Sequence, residues 1–432
     1  MFPYYLGRMW RRGGYRKDFS HRWGRLRHIP PKPQGVRRIW LQAVSVGELG
    51  SIRPLVAQLA RLPDVEIIIT STTSTAYTLA RSTYGYDVPR IYTAIFPLDF
   101  QPCSYAAWRC IEPDLAVLTE TELWPEHLYQ AWCHSTPVVL INGRLSDRSF
   151  RRYGYFKGVM RSLLKKLTLI IAASEQDADR FRLLGMDPAK VVTVGNIKFD
   201  SEPPAALDPE AALQLRRDLG FESQSTVPPL VILGASTWPE EEALLLDAFE
   251  DALASGIDCR LLLVPRHAER RRELIPLLER RSLAWHLRSS GQVLSKPVMV
   301  HVADTTGELS RLTQAADIAF IGKSMPPNSG GQTPLEAAAC GVPILYGPHM
   351  NNFRQICSSL EAAAAAVPIA KPEALSPQLI QLLRNQQSRQ SMGTAAREWH
   401  ERNRGATQRT FERLQPFLKA SEVNIERTVL TS

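Results

Sequence analysis

The sequence predicts an α/β protein built as two halves, each a parallel sheet covered by helices. Three observations predict it. Short apolar runs alternate with amphipathic stretches, the pattern of strands buried on both faces. The alternation pauses once, over residues 199–229, where Pro, Ser and charged residues crowd together, and then restarts. At 432 residues the chain is also too long for one core and suits two domains.

In the first half the apolar runs read as strands at Ile39–Val46, Val65–Thr70, Leu115–Leu118, Val138–Asn142, Leu169–Ala173 and Val191–Val194. Helical patterns such as Ser51–Arg61 and Ser174–Leu184 fall between them. The second half reads as strands at Leu230–Leu233, Arg260–Val264, Val298–Val302, Ile318–Phe320 and Ile344–Tyr346. After its first strand, Ser236 or Thr237 is the expected N-cap, with Pro239 in the first turn and Glu240 to Glu242 facing the positive helix end. Each half is thus Rossmann-like, and ligands of such sheets bind beyond the carboxyl ends of the strands. Two halves facing across a cleft are expected. The boundaries expected are an arm over 1–38, a first domain over 39–200, a linker with one helical piece over 201–228, and a second domain with C-terminal helices over 229–432.

Charge is unevenly spread. Arg8, Arg11, Arg12, Arg16, Lys17, Arg22, Arg25, Arg27, Lys32, Arg37 and Arg38 face a lone Asp18 in the arm, so the net charge of +9 belongs there and the remainder sums to near neutrality. Phe2, Tyr4, Tyr5, Trp10, Tyr15, Phe19 and Trp23 are interleaved with these cations. Such a mixture suits an anionic membrane surface, the expected partner, in preference to nucleic acid. No apolar run is long enough to span a bilayer, and no secretory signal is visible. The six cysteines form no C-x-x-C pair and sit with no His at ligand spacing, so reduced thiols and no metal are expected.

The residues that carry chemistry stand at strand ends. In "LQAVSVGELG" Glu48 lies where a strand gives way to a helix, and Gly47 lets the backbone approach a ligand closely. The plainer role for Glu48 is to complement the helix dipole, worth about 0.3–1 kcal/mol. "DLAVLTETELWPEHL" offers Glu120 and Glu122, which share a face if the segment is extended; a solvated strand end is the plainer alternative. "VVLINGRLSDRS" supplies Asn142 and Arg144, and "VGNIKFD" supplies Lys198. In the second half "LLLVPRHAERRREL" ends a strand in Pro265-Arg266-His267, and the Arg266 fork is a natural clamp for phosphate or carboxylate. "IAFIGKSMPPNSGGQTPLEAAACGVPILYGP" runs from a strand through Gly330-Gly331 to a helix opened by Pro334, with Glu336 in its first turn. A Gly-rich loop feeding a helix suits an anion, and the carboxylate suits ribose hydroxyls. Neither a P-loop nor G-x-G-x-x-G is present. A nucleotide-like site in one half and acids in the other suit a glycosyltransferase.

Taken in order, "AVSVGE", "TETELWPE", "VLINGRLSDRS", "GNIKFD", "LGAST", "LLLVPRHAER", "TGEL" and "GGQTPLEAAACGVPILYGPHMNNF" resemble the bacterial 3-deoxy-D-manno-octulosonic acid (Kdo) transferase family, from about Tyr15 to about Ile356. The resemblance implies a GT-B glycosyltransferase that moves Kdo from CMP-Kdo onto lipid A (lipid IVA) with inversion, peripherally at the cytoplasmic face of the inner membrane. It implies Glu48 as general base, with Glu120, Glu122 and Lys198 as transition-state-stabilising positions. Donor contacts fall on Pro265, Arg266, Gly307, Glu308, Leu309, Thr333, Pro334, Leu335 and Glu336. No cofactor beyond the donor substrate CMP-Kdo is implied, and no metal. The family usually reads Gly-Gly-His-Asn-Pro-Leu-Glu where this chain has Gln332 and Thr333, a Gln for the His donor and a Thr for the Asn. The alternatives are another sugar-nucleotide enzyme, such as a UDP-sugar transferase or non-hydrolysing epimerase, and a non-catalytic basic-armed binding protein.

Overall fold

Among the described residues every strand pairing is parallel, as unbroken apolar runs require. The structure, a computed structural model, describes residues 18–85, 88–200, 206–222, 227–291 and 296–418. Two units divide the chain: Met1–Ser201 with Asn403–Ser432, and Glu202–Arg402.

The first unit holds β1 (Arg37–Gln42), β2 (Val65–Ser71), β3 (Ile91–Ile95), β4 (Leu115–Thr119), β5 (Val138–Gly143), β6 (Leu169–Ala172) and β7 (Val191–Thr193) in the order β3-β2-β1-β4-β5-β6-β7. Alternation along β1 sends Ile39 and Leu41 to one face and Trp40 to the other. The first face packs on the helix Val46–Leu59, whose stripe Ile52, Leu55, Val56 and Leu59 is wholly buried. Each such side chain contributes about 1.5–3 kcal/mol on burial. Trp40 meets Trp108, Phe96 and the ring of His127 on the other face.

The second unit holds β8 (Leu230–Thr237), β9 (Cys259–Pro265), β10 (Trp285–Leu287), β11 (Val300–Val302), β12 (Ile318–Ile321), β13 (Ile344–Tyr346) and β14 (Ala366–Pro368) in the order β10-β11-β9-β8-β12-β13-β14. Both sheets are Rossmann-like: the second strand in sequence lies on one side of the first, and a later strand returns to the other side.

Several boundaries differ from expectation. β1 stops at Gln42 and the helix begins at Val46, five residues before Ser51. β3, β10 and β14 were not expected, because Tyr92 and Thr93 interrupt the first and the others are only partly buried, with His286 inside one and Pro368 ending the other. Ser236 and Thr237 are strand residues, not caps; the helix starts at Glu241, after the Trp238-Pro239 turn.

Residues 18–38, expected in the arm, are part of the first unit. Leu26 and Ile29 join the core, and Arg22 donates to Phe96 O and Thr72 O. Arg38 is buried against Glu66 at 2.6 Å. Residues 1–17 lie outside the described residues. The helix Pro209–Asp218, expected in a linker, buries Leu215 within the second unit. The C-terminal helix Ala406–Leu414 belongs to the first unit, not the second. The Asp200 carboxylate accepts from Gly405 N–H at 2.6 Å and from Thr407 N–H, and Ala406 and Leu414 enter the core beside Ile52.

Candidate active site

In the first sheet the strand order reverses between β1 and β4, the switch point at which parallel sheets leave a crevice beyond their carboxyl ends. Glu48 and Thr119 stand on its two sides. Ser45 is the N-cap of the helix after β1, and Glu48 is its third residue. Ser45-Val46-Gly47-Glu48 has the sequence of a capping box in a variant form: Glu48 N–H donates to Ser45 Oγ at 3.4 Å, and Glu48 Oε1 accepts from Ser45 Oγ at 3.0 Å. Val44 N–H donates to Glu48 Oε2 at 2.9 Å, and Thr119, at the end of β4, donates to the same oxygen at 2.6 Å. Glu48 is only 8% exposed. Burial raises its pKa; the Thr119, Val44 and Ser45 hydrogen bonds pull it down, and the Glu120 charge pushes it up. Capping geometry and a basic carboxylate thus coincide in one residue.

The segment after β4 does not run on extended, so Glu120 and Glu122 are not related by strand alternation. Glu120 takes a left-handed conformation, with φ of 56°, and Glu122 N–H turns back onto Thr119 O at 3.2 Å. The turn nevertheless keeps the carboxylates within each other's field. Burial, then the charges of Glu48 and Glu120, push Glu122 up to about 7. Lys198 meets Glu120 at 2.6 Å, and Arg144 approaches the same oxygen at 4.0 Å. Lys198 rides on a 3-10 turn, Ile197–Asp200, fixed where Ile197 N–H donates to Asn142 Oδ1 at 3.3 Å. The first unit therefore gathers Glu48, Glu120, Glu122 and Lys198. Ser45 and Thr119 were missed; "SVGE" carried the capping-box signal, but nothing in "LAVLT" marks its last hydroxyl.

The second unit has its own switch point, between β8 and β12. Glu241, expected only to face the positive helix end, ties the two strand ends together. Its buried carboxylate accepts from the N–H groups of Trp238 (2.9 Å), Lys323 (2.7 Å), Ser324 (2.8 Å) and Met325 (3.0 Å). Gly331 N–H and Gln332 N–H then donate to Lys323 O and Gly322 O, laying the glycine loop beside that crevice. Gly331 has φ of 76°, and a Cβ there would strike Met350 Sδ, so the loop requires glycine.

Pro265 ends β9, and Arg266 N–H donates to Thr237 O at 3.0 Å while its side chain stays exposed. Thr333 Oγ1 accepts from Leu335 N–H at 3.3 Å, and Pro334 caps a helix of six residues, Leu335–Cys340. Glu336 lies in its first turn, half-buried, with Oε2 shielded and without a hydrogen-bond partner. Burial raises its pKa and the charge of Arg266 opposes the rise. Gly307, with φ of 87°, precedes Glu308 and the helix Leu309–Thr313, which packs on Leu335–Cys340. The Glu308 carboxylate is already engaged: Arg288 grips both oxygens, at 2.8 and 2.6 Å, Thr305 donates to one, and Arg288 holds its pKa down. A ligand here would meet the 307–309 backbone, not that side chain.

A hydroxyl-bonded, buried carboxylate beside an acid–lysine pair suits general-base chemistry. The second unit's unpartnered Glu336 oxygen and exposed Arg266 guanidinium suit a diol and an anion.

Residues 17–201 match the family model of 3-deoxy-D-manno-octulosonic-acid transferase (kdotransferase), and residues 288–399 match that of glycosyl transferases group 1. A 3-deoxy-D-manno-octulosonic acid transferase of Haemophilus influenzae is 32% identical over 408 residues, covering 94% of this chain and 92% of its own. One of Bordetella pertussis is 32% identical over 421 residues, covering 95% of each. The solved UDP-GlcNAc 2-epimerase of Neisseria meningitidis, bound to UDP-GlcNAc, aligns with a TM-score of 0.58 at 14% identity, covering 88% of this chain and 100% of that one. That likeness concerns fold alone. Two Rossmann-like units with these matches make the fold GT-B, and the chain belongs to the Kdo transferase family.

Proposed function

We propose that the protein transfers Kdo from CMP-Kdo to a lipid A precursor such as lipid IVA, with inversion and with Glu48 as general base. The observation that carries this is the buried Glu48 carboxylate, fixed by Val44, Ser45 and Thr119 beside Glu120 and Lys198.

The acceptor is an alcohol whose pKa lies far above neutrality, so it attacks well only as its proton leaves. In the proposed step that proton passes to Glu48 and the oxygen bonds to the anomeric carbon of Kdo. The bond from that carbon to the CMP phosphate oxygen breaks, and CMP departs with the electron pair. Attack opposite the leaving group inverts the centre without a covalent enzyme intermediate. Lys198, held against Glu120, offsets negative charge on the Kdo group. Arg266 forks onto the donor phosphate, and the unpartnered Glu336 oxygen accepts from the ribose. Pro265, Gly307 to Leu309 and Thr333 to Leu335 shape the nucleotide pocket. No metal or further cofactor takes part in the proposed step.

A lipid-borne acceptor is supported by the helices Asp147–Tyr155 and Lys157–Leu164 of the first unit. Tyr155, Phe156 and Val159 are 84%, 64% and 61% exposed. The segment also carries Arg148, Arg151, Arg152, Lys157, Arg161, Lys165 and Lys166, and Asp147, its single acid, is bound by Arg180. Exposed apolar residues interspersed with cations suit the interface of an anionic bilayer, a peripheral place at the cytoplasmic face of the inner membrane. No described helix is long and apolar enough to cross a membrane.

Mass spectrometry after incubation with CMP-Kdo and lipid IVA tests the proposal. The acceptor should gain Kdo as CMP appears, with inhibition by added CMP and none by UDP. Inhibition by UDP alone, without Kdo addition, would favour a UDP-sugar enzyme and overturn it.

A further inference from the structure

We propose that the first unit carries a second ligand site, a cationic cavity for an organic phosphate, where the segment from Asp18 to His28 lies along the edge strand β3. The cavity encloses about 560 Å³, enough for a phosphate-bearing headgroup and not only a bare ion. Arg25, Arg27, Arg81, Arg90, His28 and Tyr77 line it. Asp18 is the only acid among its described lining residues, and it is already engaged: Tyr77 Oη donates to Oδ2 at 2.9 Å and Arg81 donates to the same oxygen at 3.2 Å. Arg25, Arg27 and Arg90 are exposed at the cavity, and among the described residues no carboxylate forms a salt bridge to them, although Arg90 also donates to Pro63 O.

Like charges gathered on one wall repel, and a di- or trianion between them relieves that repulsion. Arginine forks match phosphate oxygens two at a time, and a phosphate has the charge and the extra oxygens to bridge more than one guanidinium, which a neutral sugar lacks. His21, stacked on His28 at 4.6 Å, reports the same field: burial, His28 and Arg81 lower its pKa to about 4 against the pull of Asp18.

This cavity is separate from the Glu48 site. It borders Val88 to Thr93, the approach to β3 and its amino-terminal half, whereas Glu48 and Glu120 follow the carboxyl ends of β1 and β4. β3 is the edge strand and β2 lies between it and β1, so the two places are set apart across the sheet. The inference therefore stands independently of the proposed transfer reaction. It also accounts for part of the basic arm: Arg22 and Arg38 are used inside the fold, while Arg25 and Arg27 are left facing a cavity.

The phosphate can be free or lipid-borne, and two probes separate the sources. Inorganic pyrophosphate is titrated calorimetrically into the full chain, and vesicles with phosphatidic acid are compared with vesicles carrying phosphatidylglycerol in co-sedimentation. Both arms are repeated with Arg25→Glu/Arg27→Glu and with Arg90→Glu, after circular dichroism shows native folding. Saturable one-to-one pyrophosphate binding, weakened about tenfold or more in the variants, supports a free phosphate. Preference for phosphatidic acid that pyrophosphate competes away and the variants lose supports a lipid-borne one. Equal binding of both probes by wild type and variants, or no binding by wild type, overturns the site.

Discussion

Thr119→Val removes one hydroxyl and keeps the volume of the side chain, so it isolates the bond from Thr119 to Glu48. That bond is 2.6 Å long, buried, and made to a carboxylate. Hydrogen bonds to charged groups contribute about 1.5–3 kcal/mol, about tenfold to a hundredfold in the equilibrium between ionised and neutral acid. Thr119 is the strongest influence holding Glu48 ionised against burial and against Glu120. Its loss therefore moves the acid limb of the transfer rate toward higher pH, and the base is depleted near neutrality. The assay is a profile of kcat/KM against pH for Kdo transfer, with Thr119→Ser as the rescuing variant. An acid limb that stays in place in a folded Thr119→Val protein, or one that Thr119→Ser fails to restore, would refute the positioning role.

Glu122→Gln tests the electrostatics from the other side. A carboxyl raised to about 7 in the fold holds its proton where the unfolded chain releases it, so its burial lowers stability progressively as pH rises from about 4.5 through 7. Thermal melts should show Glu122→Gln stabilising the protein at pH 8 and changing little at pH 4. Arg38→Ala leaves Glu66 buried and unpaired, and denaturant unfolding should register a loss of about 3–5 kcal/mol. The double change Tyr155→Glu/Phe156→Glu, at side chains 84% and 64% exposed, should change stability little and reduce co-sedimentation with phosphatidylglycerol vesicles.

Both sheets were legible because parallel strands buried on both faces announce themselves as apolar runs. β3, β10 and β14 were not, since at an edge a strand can be only partly buried, hold His286 or end in Pro368, or carry Tyr92 and Thr93. Glu48 stood out at a strand end, but the helix was placed after it, although Ser45 to Glu48 spells a capping box. Gly47 obscured the start: glycine argues for a turn, and here it sits in the first helical turn, where its propensity matters least. Charge summation misled twice. Arg22 and Arg38 looked like arm cations and are buried partners within the fold. The cationic helices between Asp147 and Lys166 vanished into a near-neutral total because their excess is offset by acids elsewhere. Thr119 could not be read at all, and Glu241 was read only as an acid at a helix start, since each acquires its role from a strand neighbour distant in sequence.

Single-turnover Kdo transfer by Glu48→Gln tests the central claim most directly, with CMP-Kdo binding measured in parallel on the same folded protein. Transfer should slow by about a hundredfold or more while donor affinity holds, because the proposed proton acceptor is gone and the donor contacts proposed for the second unit are untouched. A Glu48→Gln protein that adds Kdo at the unaltered rate would contradict the account.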